Sequence, residues 1–501
     1  MGSGNGAKTG KTASLNALGL TARDGREAEV TGLSVDSRTV KPGHLFAALP
    51  GTSFHGAEFI KYALRMDAGA ILTDPQGADL AEDDLEGADV AVVVTEDPRQ
   101  ALAYASALWF GAQPGTMAAV TGTNGKTSVA SFTRQIWIEL GLQAANLGTT
   151  GVEGAYSAPM SHTTPEPITL HRVLSDMAAV GVTHAAMEAS SHGLEQRRLD
   201  GVHLMAAAFT NLTQDHLDYH DSFQDYFNAK AGLFSRVLAP DGVAVINMDD
   251  PRGRDMEAIA RRRGHRLLRV GQREDVELQL LNQRFDATGQ EVRFRYDGQV
   301  YQMRLDLIGG FQASNVLVAA GLAVGTGSKP AEVFETLPML KTVRGRMQKA
   351  AERNNGAAVF VDYAHTPDAL ETALKAIRPH VMGRLIVIFG AGGDRDRGKR
   401  PLMGAAARDF ADIAFVTDDN PRSEDPAAIR EMILQAVPGA TEVPDRAEAI
   451  LRGVDALGPG DTLLIAGKGH ETGQIVGDDV LPFDDVEQAS VAVAALEGRL
   501  S

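Results

Sequence analysis

The chain has 501 residues, too long for one core of ordinary size, and its length predicts about three domains. Hydrophobic residues make up 44% and charged residues 23%, the balance of a folded soluble protein rather than a disordered one. A formal charge of −17 argues against a nucleic-acid partner; the lack of cysteine excludes disulfides, thiolate metal sites and a thiol nucleophile; and no apolar run approaches the ~20 residues of a membrane span. A cytoplasmic protein is expected, and any anionic substrate needs a local cationic pocket.

The opening residues, MGSGNGAKTGKTAS, are small and polar without an apolar stretch, which predicts a flexible leader over residues 1–19 rather than a signal peptide. Residues 20–96 mix short strands (LSVDS, LFAAL, GAILT, VAVVV) with polar turns and read as a small N-terminal α/β domain. Over 97–341, apolar runs (MAAVTG, HAAMEAS, MAAAFTNL, GVAVINMDD) alternate with helical stretches, predicting a central, mostly parallel sheet of the P-loop type. Within it, residues 266–306 alternate with period two, as added antiparallel hairpins do. Over 342–501 the pattern restarts (AAVFVDYAHTP, RLIVIFGAGG, IAFVTDDNP, DTLLIAGKGH) and predicts a C-terminal Rossmann-like, doubly wound domain. The fold class is α/β in three domains.

Two GKT triplets occur. Gly10-Lys11-Thr12 follows no strand and lacks the phosphate-loop spacing, so it is read as leader. The second lies in AAVTGTNGKTSVA (118–130), between a strand and a helical stretch, although Val120 stands where the usual G-x-x-x-x-G-K-[ST] spacing has glycine. Gly122, Thr123, Asn124, Gly125, Lys126, Thr127 and Ser128 are therefore candidates to cradle the phosphates of ATP, with Lys126 reaching the β/γ-phosphates and Thr127 facing Mg²⁺. Glu188 ends the apolar run of AAMEASSHGLEQRR, at the sheet edge where ligands bind, and is the expected oxygen ligand for Mg²⁺. In FTNLTQDHLDYHDSF, His216 reads from spacing alone as a hydrogen-bonding residue. Lys230, in YFNAKAGLF, reads alone as a solvated helix lysine.

Together these segments resemble the Mur ligase family, ATP-dependent amide-forming enzymes of peptidoglycan synthesis. Matching stretches run in family order across nearly the whole chain: VDSRTVKPGHLFAALPG, GTNGKTS, TTPE, EASSHGLEQRR, FTNLTQDHLDYH, YFNAKAGLF, LIGGFQASN, VRGRMQ, VDYAHTPD, GAGGDRDRGKRPLM, DDNPRSEDP and AGKGHE. GTNGKT is the family's own form of the loop, so Val120 is a family feature. The resemblance changes two readings: it places His216 at the metal, and it implies a carbamylated Lys230 (N6-carboxylysine) beside Mg²⁺. Lys126, Glu188, His216 and Lys230 are then the catalytic set, and Thr127, Glu188, His216 and Lys230 the metal set.

The resemblance further implies that Asn315 and Arg346 contact the nucleotide. Val35, Ser37, Thr52, Ser53 and Phe54 match the uridine side of a UDP-sugar peptide, and Thr163, Thr164, Ser190, Gln196 and Arg198 match contacts nearer its peptide. Arg395, Asp419, Asn420, Pro421, Arg422, Gly467 and Glu471 match contacts to the incoming amino acid. DDNPR (418–422) is the form found in family members that add meso-diaminopimelate to UDP-N-acetylmuramoyl-L-alanyl-D-glutamate, since a guanidinium can take the far carboxylate that lysine lacks. The expected partners are these small molecules only, and the expected assembly is a monomer. The same residues leave three alternatives: L-lysine as the added amino acid, a ligase like folylpolyglutamate synthetase, or a catalytically silent nucleotide-binding scaffold. The chain departs from the family's usual residues at His162, Gln312, Arg344 and Gln348, where relatives carry Asn, Asn, Pro and Glu.

Overall fold

The computed structural model describes residues 11–51, 54–213 and 219–499. Four short parallel strands, Gly32–Ser34, His44–Ala47, Ala70–Thr73 and Ala91–Val94, lie side by side in chain order and form the first sheet. Helix Pro98–Phe110 is set up by Asp97, whose carboxylate caps the Gln100 N–H, and by Pro98 at its first turn. This helix buries Leu102, Ala105 and Trp109 against Leu15, Leu18, Leu45 and Leu72 of the first domain. Helix Pro98–Phe110, placed in the central section by the sequence pattern, thus shares its apolar face with the first domain's core.

The predicted leader also needs correction. Ala13 and Ser14 pair antiparallel with Val30 and Glu29, and Leu15 and Leu18 are buried in the same core. Lys11 of the first GKT triplet donates to the Trp109 carbonyl and sits 5.3 Å above the indole ring, so this lysine serves packing. Residues 1–10 lie outside the described residues.

The central domain is a ten-stranded sheet. Its parallel middle runs Arg266–Gly271, Val243–Asn247, Ala206–Phe209, Thr116–Thr121, His184–Glu188 and Ala144–Gly148. Helices Lys126–Glu139 and Phe311–Gly325 cover one face, and Pro167–Ala179 and Phe223–Gly232 pack against the other. Strands buried on both faces must be apolar throughout, which is why MAAV, AAM and AAAF are continuous small apolar runs. Of the period-two region, Arg266–Gly271 is parallel to Val243–Asn247. The antiparallel meander starts at Leu278–Asp286 and continues through Gly289–Tyr296 and Gln299–Leu305.

The C-terminal domain holds a six-stranded sheet in the order Gln348–Glu352, Ala358–Asp362, Thr462–Ala466, Leu385–Phe389, Ile413–Val416 and Thr441–Glu442, parallel except for its first strand. A hairpin, Gly473–Val476 with Asp479–Pro482, hangs beside the sheet's carboxyl ends. Among the described residues no helix is long and apolar enough to cross a membrane.

One buried ion pair ties the last helix, Asp485–Leu496, to this domain. Arg446 donates from Nε and Nη2 to both Asp485 oxygens at 2.8 and 2.7 Å, and from Nη2 to the Ala466 carbonyl at 3.0 Å, with both side chains wholly inaccessible. Removing one partner strands the other charge in the interior, so Asp485→Ala should lower stability by about 3–5 kcal/mol. The check is the urea midpoint of the C-terminal domain's transition, with Arg446→Met/Asp485→Leu recovering most of the loss.

Candidate active site

The phosphate loop begins where strand Thr116–Thr121 ends, between two strands that cross over to opposite sides of it, the position where doubly wound sheets bind ligands. Val120 is still inside that strand, wholly buried, with its carbonyl accepting from Ala189 N at 2.8 Å. A side chain is needed there for packing, and the loop proper starts at Gly122. Gly125 adopts φ +87°, and a Cβ on it would lie 2.6 Å from Asn315 Oδ1, so both backbone and space demand glycine. Helix Lys126–Glu139 has no side-chain cap, which leaves its first N–H groups for phosphate oxygens. Lys126 Nζ donates to the Gly122 and Thr123 carbonyls at 2.9 and 2.8 Å.

Glu188, the last residue of its strand, is almost fully buried and held at both oxygens. Oε1 accepts from Thr149 N at 2.8 Å, while Oε2 accepts from Thr127 Oγ1 at 3.0 Å and Thr149 Oγ1 at 3.2 Å. The carboxylate fits only because residue 148 is glycine: a Cβ there would sit 1.9 Å from Oε1. Lys230 is 1% exposed, donates to the Gly122 carbonyl at 2.7 Å and lies 4.5 Å above the Tyr226 ring. Helix Phe223–Gly232 thus carries it inward, against the reading of Lys230 alone as a solvated lysine.

These groups line one cavity of about 570 Å³ between the central and C-terminal domains, together with Thr163, Thr164, Ser190, Arg198, Asn315 and Arg346. Gln196 stands behind it, accepting from Arg198 Nη2 at 2.7 Å and donating to Tyr219 Oη at 2.9 Å. Arg346 donates to Thr127 Oγ1 at 3.2 Å and stacks 4.7 Å from Tyr363; Asn124 reaches Asp368 at 3.4 Å. The C-terminal domain is therefore seated on the phosphate loop. Asp362 anchors this contact by accepting from Met347 N and Ala364 N at 2.7 and 2.9 Å, although burial pushes its carboxyl upward against the Arg346 charge. A second cavity, about 1010 Å³, lies in the first domain and is lined by Val35, Ser37 and Phe54 with Arg38, Tyr62 and Arg65. Thr52, Ser53 and His216 lie outside the described residues.

The remaining predicted residues gather at the carboxyl ends of the C-terminal sheet. Asn420 Nδ2 donates to Glu471 Oε2 at 3.0 Å. Arg422, at φ +51°, donates from Nη1 to the Gly393 carbonyl at 2.9 Å. A Cβ on Gly392 would lie 2.8 Å from Arg422 Nη1 and 3.8 Å from Arg395 Cγ, so the two arginines flank that glycine. Gly467, at φ +120°, leaves room for Asp419, and Pro421 is buried behind them. Thr149, Asp362, Tyr363 and Lys468 belong to these sites without having been singled out. Asp362 and Lys468 lie within the matched segments VDYAHTPD and AGKGHE. Thr149 has no signal beyond following a strand.

The chain matches three family models: "Mur ligase family, catalytic domain" over residues 29–109, "Mur ligase middle domain" over 120–323 and "Mur ligase, glutamate ligase domain" over 345–469. A UDP-N-acetylmuramoyl-L-alanyl-D-glutamate–2,6-diaminopimelate ligase of Bradyrhizobium diazoefficiens is 50% identical over 471 residues, covering 93% of this chain and 95% of that one. The chain belongs to the Mur ligase family. A ligase of the same name from Agrobacterium fabrum is 49% identical over 474 residues, covering 94% of each chain. A solved structure under that name superposes with a TM-score of 0.68 at 33% identity, covering 93% of this chain and 95% of that one. As a Mur ligase the protein is an ATP-dependent amide-forming enzyme, and its three domains are those of the family.

In this Mur ligase, Gly148→Ala should displace the Glu188 carboxylate while leaving the phosphate loop in place. Misplacing that group by about 1 Å should lower the steady-state turnover number by roughly 10²-fold. Phosphate release, measured beside equilibrium ADP binding, checks this: ADP affinity should hold while turnover falls.

Proposed function

We propose that the protein joins meso-2,6-diaminopimelate to the D-glutamate of UDP-N-acetylmuramoyl-L-alanyl-D-glutamate, forming ADP and phosphate, in cytoplasmic peptidoglycan precursor synthesis. The observation that carries this reading is that one chain combines a phosphate loop facing Glu188 and Lys230 with a second site where Arg422 and Arg395 flank Gly392 and Asn420 holds Glu471. Relatives about 50% identical over nearly the whole chain carry the name of that ligase.

A carboxylate is a poor electrophile, so the D-glutamate γ-carboxylate first takes the γ-phosphoryl group of ATP, giving an acyl phosphate and ADP. The amine of the incoming amino acid then attacks the acyl carbon, and phosphate leaves the tetrahedral intermediate. Both partners in the first step are anionic, so their repulsion dominates the barrier. Lys126 and Arg346 place cationic donors at the phosphates, and the first N–H groups of helix Lys126–Glu139 face the same oxygens. Arg198, which donates to the Thr164 carbonyl at 2.6 Å, orients the peptide end of the UDP substrate with Thr163, Thr164 and Ser190. Val35, Ser37 and Phe54, with Thr52 and Ser53, take the uridine side.

The donor set suits Mg²⁺. Thr127 Oγ1 and a Glu188 oxygen lie 3.0 Å apart and are hard oxygen ligands. Thr127, Glu188, His216 and carbamylated Lys230 would hold it, and when bound it supplies positive charge against the phosphate oxygens. The working form proposed is a monomer.

Arg422 is the basis for choosing diaminopimelate over L-lysine, which would leave the guanidinium without a counter-charge. Arg422 is half-buried, and a charge-assisted hydrogen bond contributes roughly 1.5–3 kcal/mol, so kcat/KM should favour diaminopimelate by about 10- to 100-fold. The test is phosphate release by the purified protein with each amino acid in turn. Comparable kcat/KM values would reject diaminopimelate selectivity, and release that needs neither the UDP-dipeptide nor an amino acid would favour a scaffold. A ligase resembling folylpolyglutamate synthetase would leave the first domain's cavity unused, and removing the UDP-dipeptide would not slow it.

Lys230→Ala should abolish turnover, because the substitution removes the amine that would carry the carbamate. In the wild type, activity should rise when bicarbonate is restored to CO2-depleted enzyme. A bicarbonate-independent wild type would argue against the modification.

A further inference from the structure

Lys468 follows Gly467 at the end of strand Thr462–Ala466 and is 0% exposed. A buried ammonium must be surrounded by acceptors. Its Nζ donates to Asn420 Oδ1 at 2.8 Å and to the Gly473 carbonyl at 2.9 Å, and lies 3.5 Å from Asp419 Oδ1. The side-chain oxygen of Asn420 also accepts from Ile475 N at 2.9 Å. Two donors therefore converge on one atom.

That convergence determines which way the amide points. If the Asn420 amide were flipped, its NH2 group would face an ammonium and a backbone N–H, setting three donors against one another. With the oxygen fixed inward, Nδ2 points outward to Glu471 Oε2 at 3.0 Å. Glu471 is a half-buried carboxylate. Burial and then the Asp419 charge raise its pKa above the usual carboxylate value, and the Asn420 hydrogen bond with the Lys468 and Arg422 charges offsets only part of that rise. Lys468 is wholly buried and reaches the half-buried Glu471 only through Asn420, so its place is behind that carboxylate.

We propose that Lys468 is a positioning residue: it locks the Asn420 amide so that the Glu471 carboxylate is aimed at an ammonium group of the incoming amino acid. This rests on the proposed function only in naming that amino acid as diaminopimelate. The aligned Glu471 carboxylate and the Arg422 guanidinium together form a receiver for an ammonium and a carboxylate on one carbon.

The experiment compares the full-length wild type with Lys468→Met, a neutral side chain of similar length, by phosphate release with each of the three substrates varied. Losing a charge-assisted link should raise KM for diaminopimelate about 10-fold or more, with KM for ATP and for the UDP-dipeptide unchanged. Without the nearby cation Glu471 holds its proton to higher pH, so the acid limb of kcat/KM for the amino acid should move upward. An unmoved limb with unchanged KM would overturn the proposal, as would a rise shared by all three substrates. If Lys468→Met does not fold, Lys468→Gln, which keeps a donor without the charge, is held to the same criteria. A wild type that turns over L-lysine alone would refute the proposed function, and the Lys468 comparison would then be made with L-lysine, which carries an ammonium of the same kind. Turnover with neither amino acid would overturn both.

Discussion

The Gly122 carbonyl accepts from two lysines, Lys126 at 2.9 Å and Lys230 at 2.7 Å, and the rest of the site is arranged around that crowding. Two ammonium groups at one acceptor repel each other, and Lys230 is too buried for water to screen the repulsion. The arrangement is eased when anions arrive at the loop, as a triphosphate does. It would be eased further if Lys230 became an anion by taking up CO2, as proposed. Negative charge at this carbonyl, from a nucleotide or from the proposed carbamate, therefore suits the placement of Lys126 and Lys230.

Several features were legible in the sequence because local pattern and tertiary need coincide. The phosphate loop sits between an apolar strand and a helix, and Glu188 ends an apolar run, so strand position alone put both at the sheet edge. Other features depend on what packs nearby, which pattern does not carry. Helix Pro98–Phe110 packs against the first domain, its Trp109 and Leu102 meeting Leu15 and Leu18, residues that polar flanking sequence made look like leader. Gly148 and Thr149 shape the Glu188 carboxylate through a close approach between neighbouring strands, and no spacing rule reports it. Lys468 is invisible for a simpler reason: a lysine is expected on the surface, and only the buried acceptors reveal its place.

The departures from the family's usual residues are absorbed locally. Gln348 Oε1 accepts from Gly345 N at 2.8 Å, a bond needing only an oxygen acceptor, so the amide serves where a carboxylate is usual. Arg344 extends to Asp484 at 2.7 Å on the surface, an exposed pair contributing little beyond orientation. Gln312 is fully buried and accepts from Asn315 Nδ2 at 3.4 Å, orienting the residue that crowds Gly125. His162 lies at the exposed rim of the cavity with its ring against Ser161 Oγ at 2.9 Å.

The nucleotide and amino-acid sites sit in different domains, yet one run of contacts joins them. Thr127 accepts from Arg346, whose guanidinium lies over Tyr363; Tyr363 packs 4.9 Å from His470; and His470 precedes Glu471. The turn from Gly467 to Glu471 can follow this route because both glycines adopt positive φ, and a Cβ on Gly469 would lie 2.7 Å from the Tyr363 Cβ. Burial and the charges of Arg346 and Arg344 hold His470 down at about 4, so it enters this stack as a neutral ring and adds no third cation. Formation of an acyl phosphate is useful only if an amine is delivered before water reaches it. A chain of packed side chains runs from the phosphate loop to Glu471, so the seating of the C-terminal domain that would align Arg346 with the phosphates would also bring the proposed amine receiver into register.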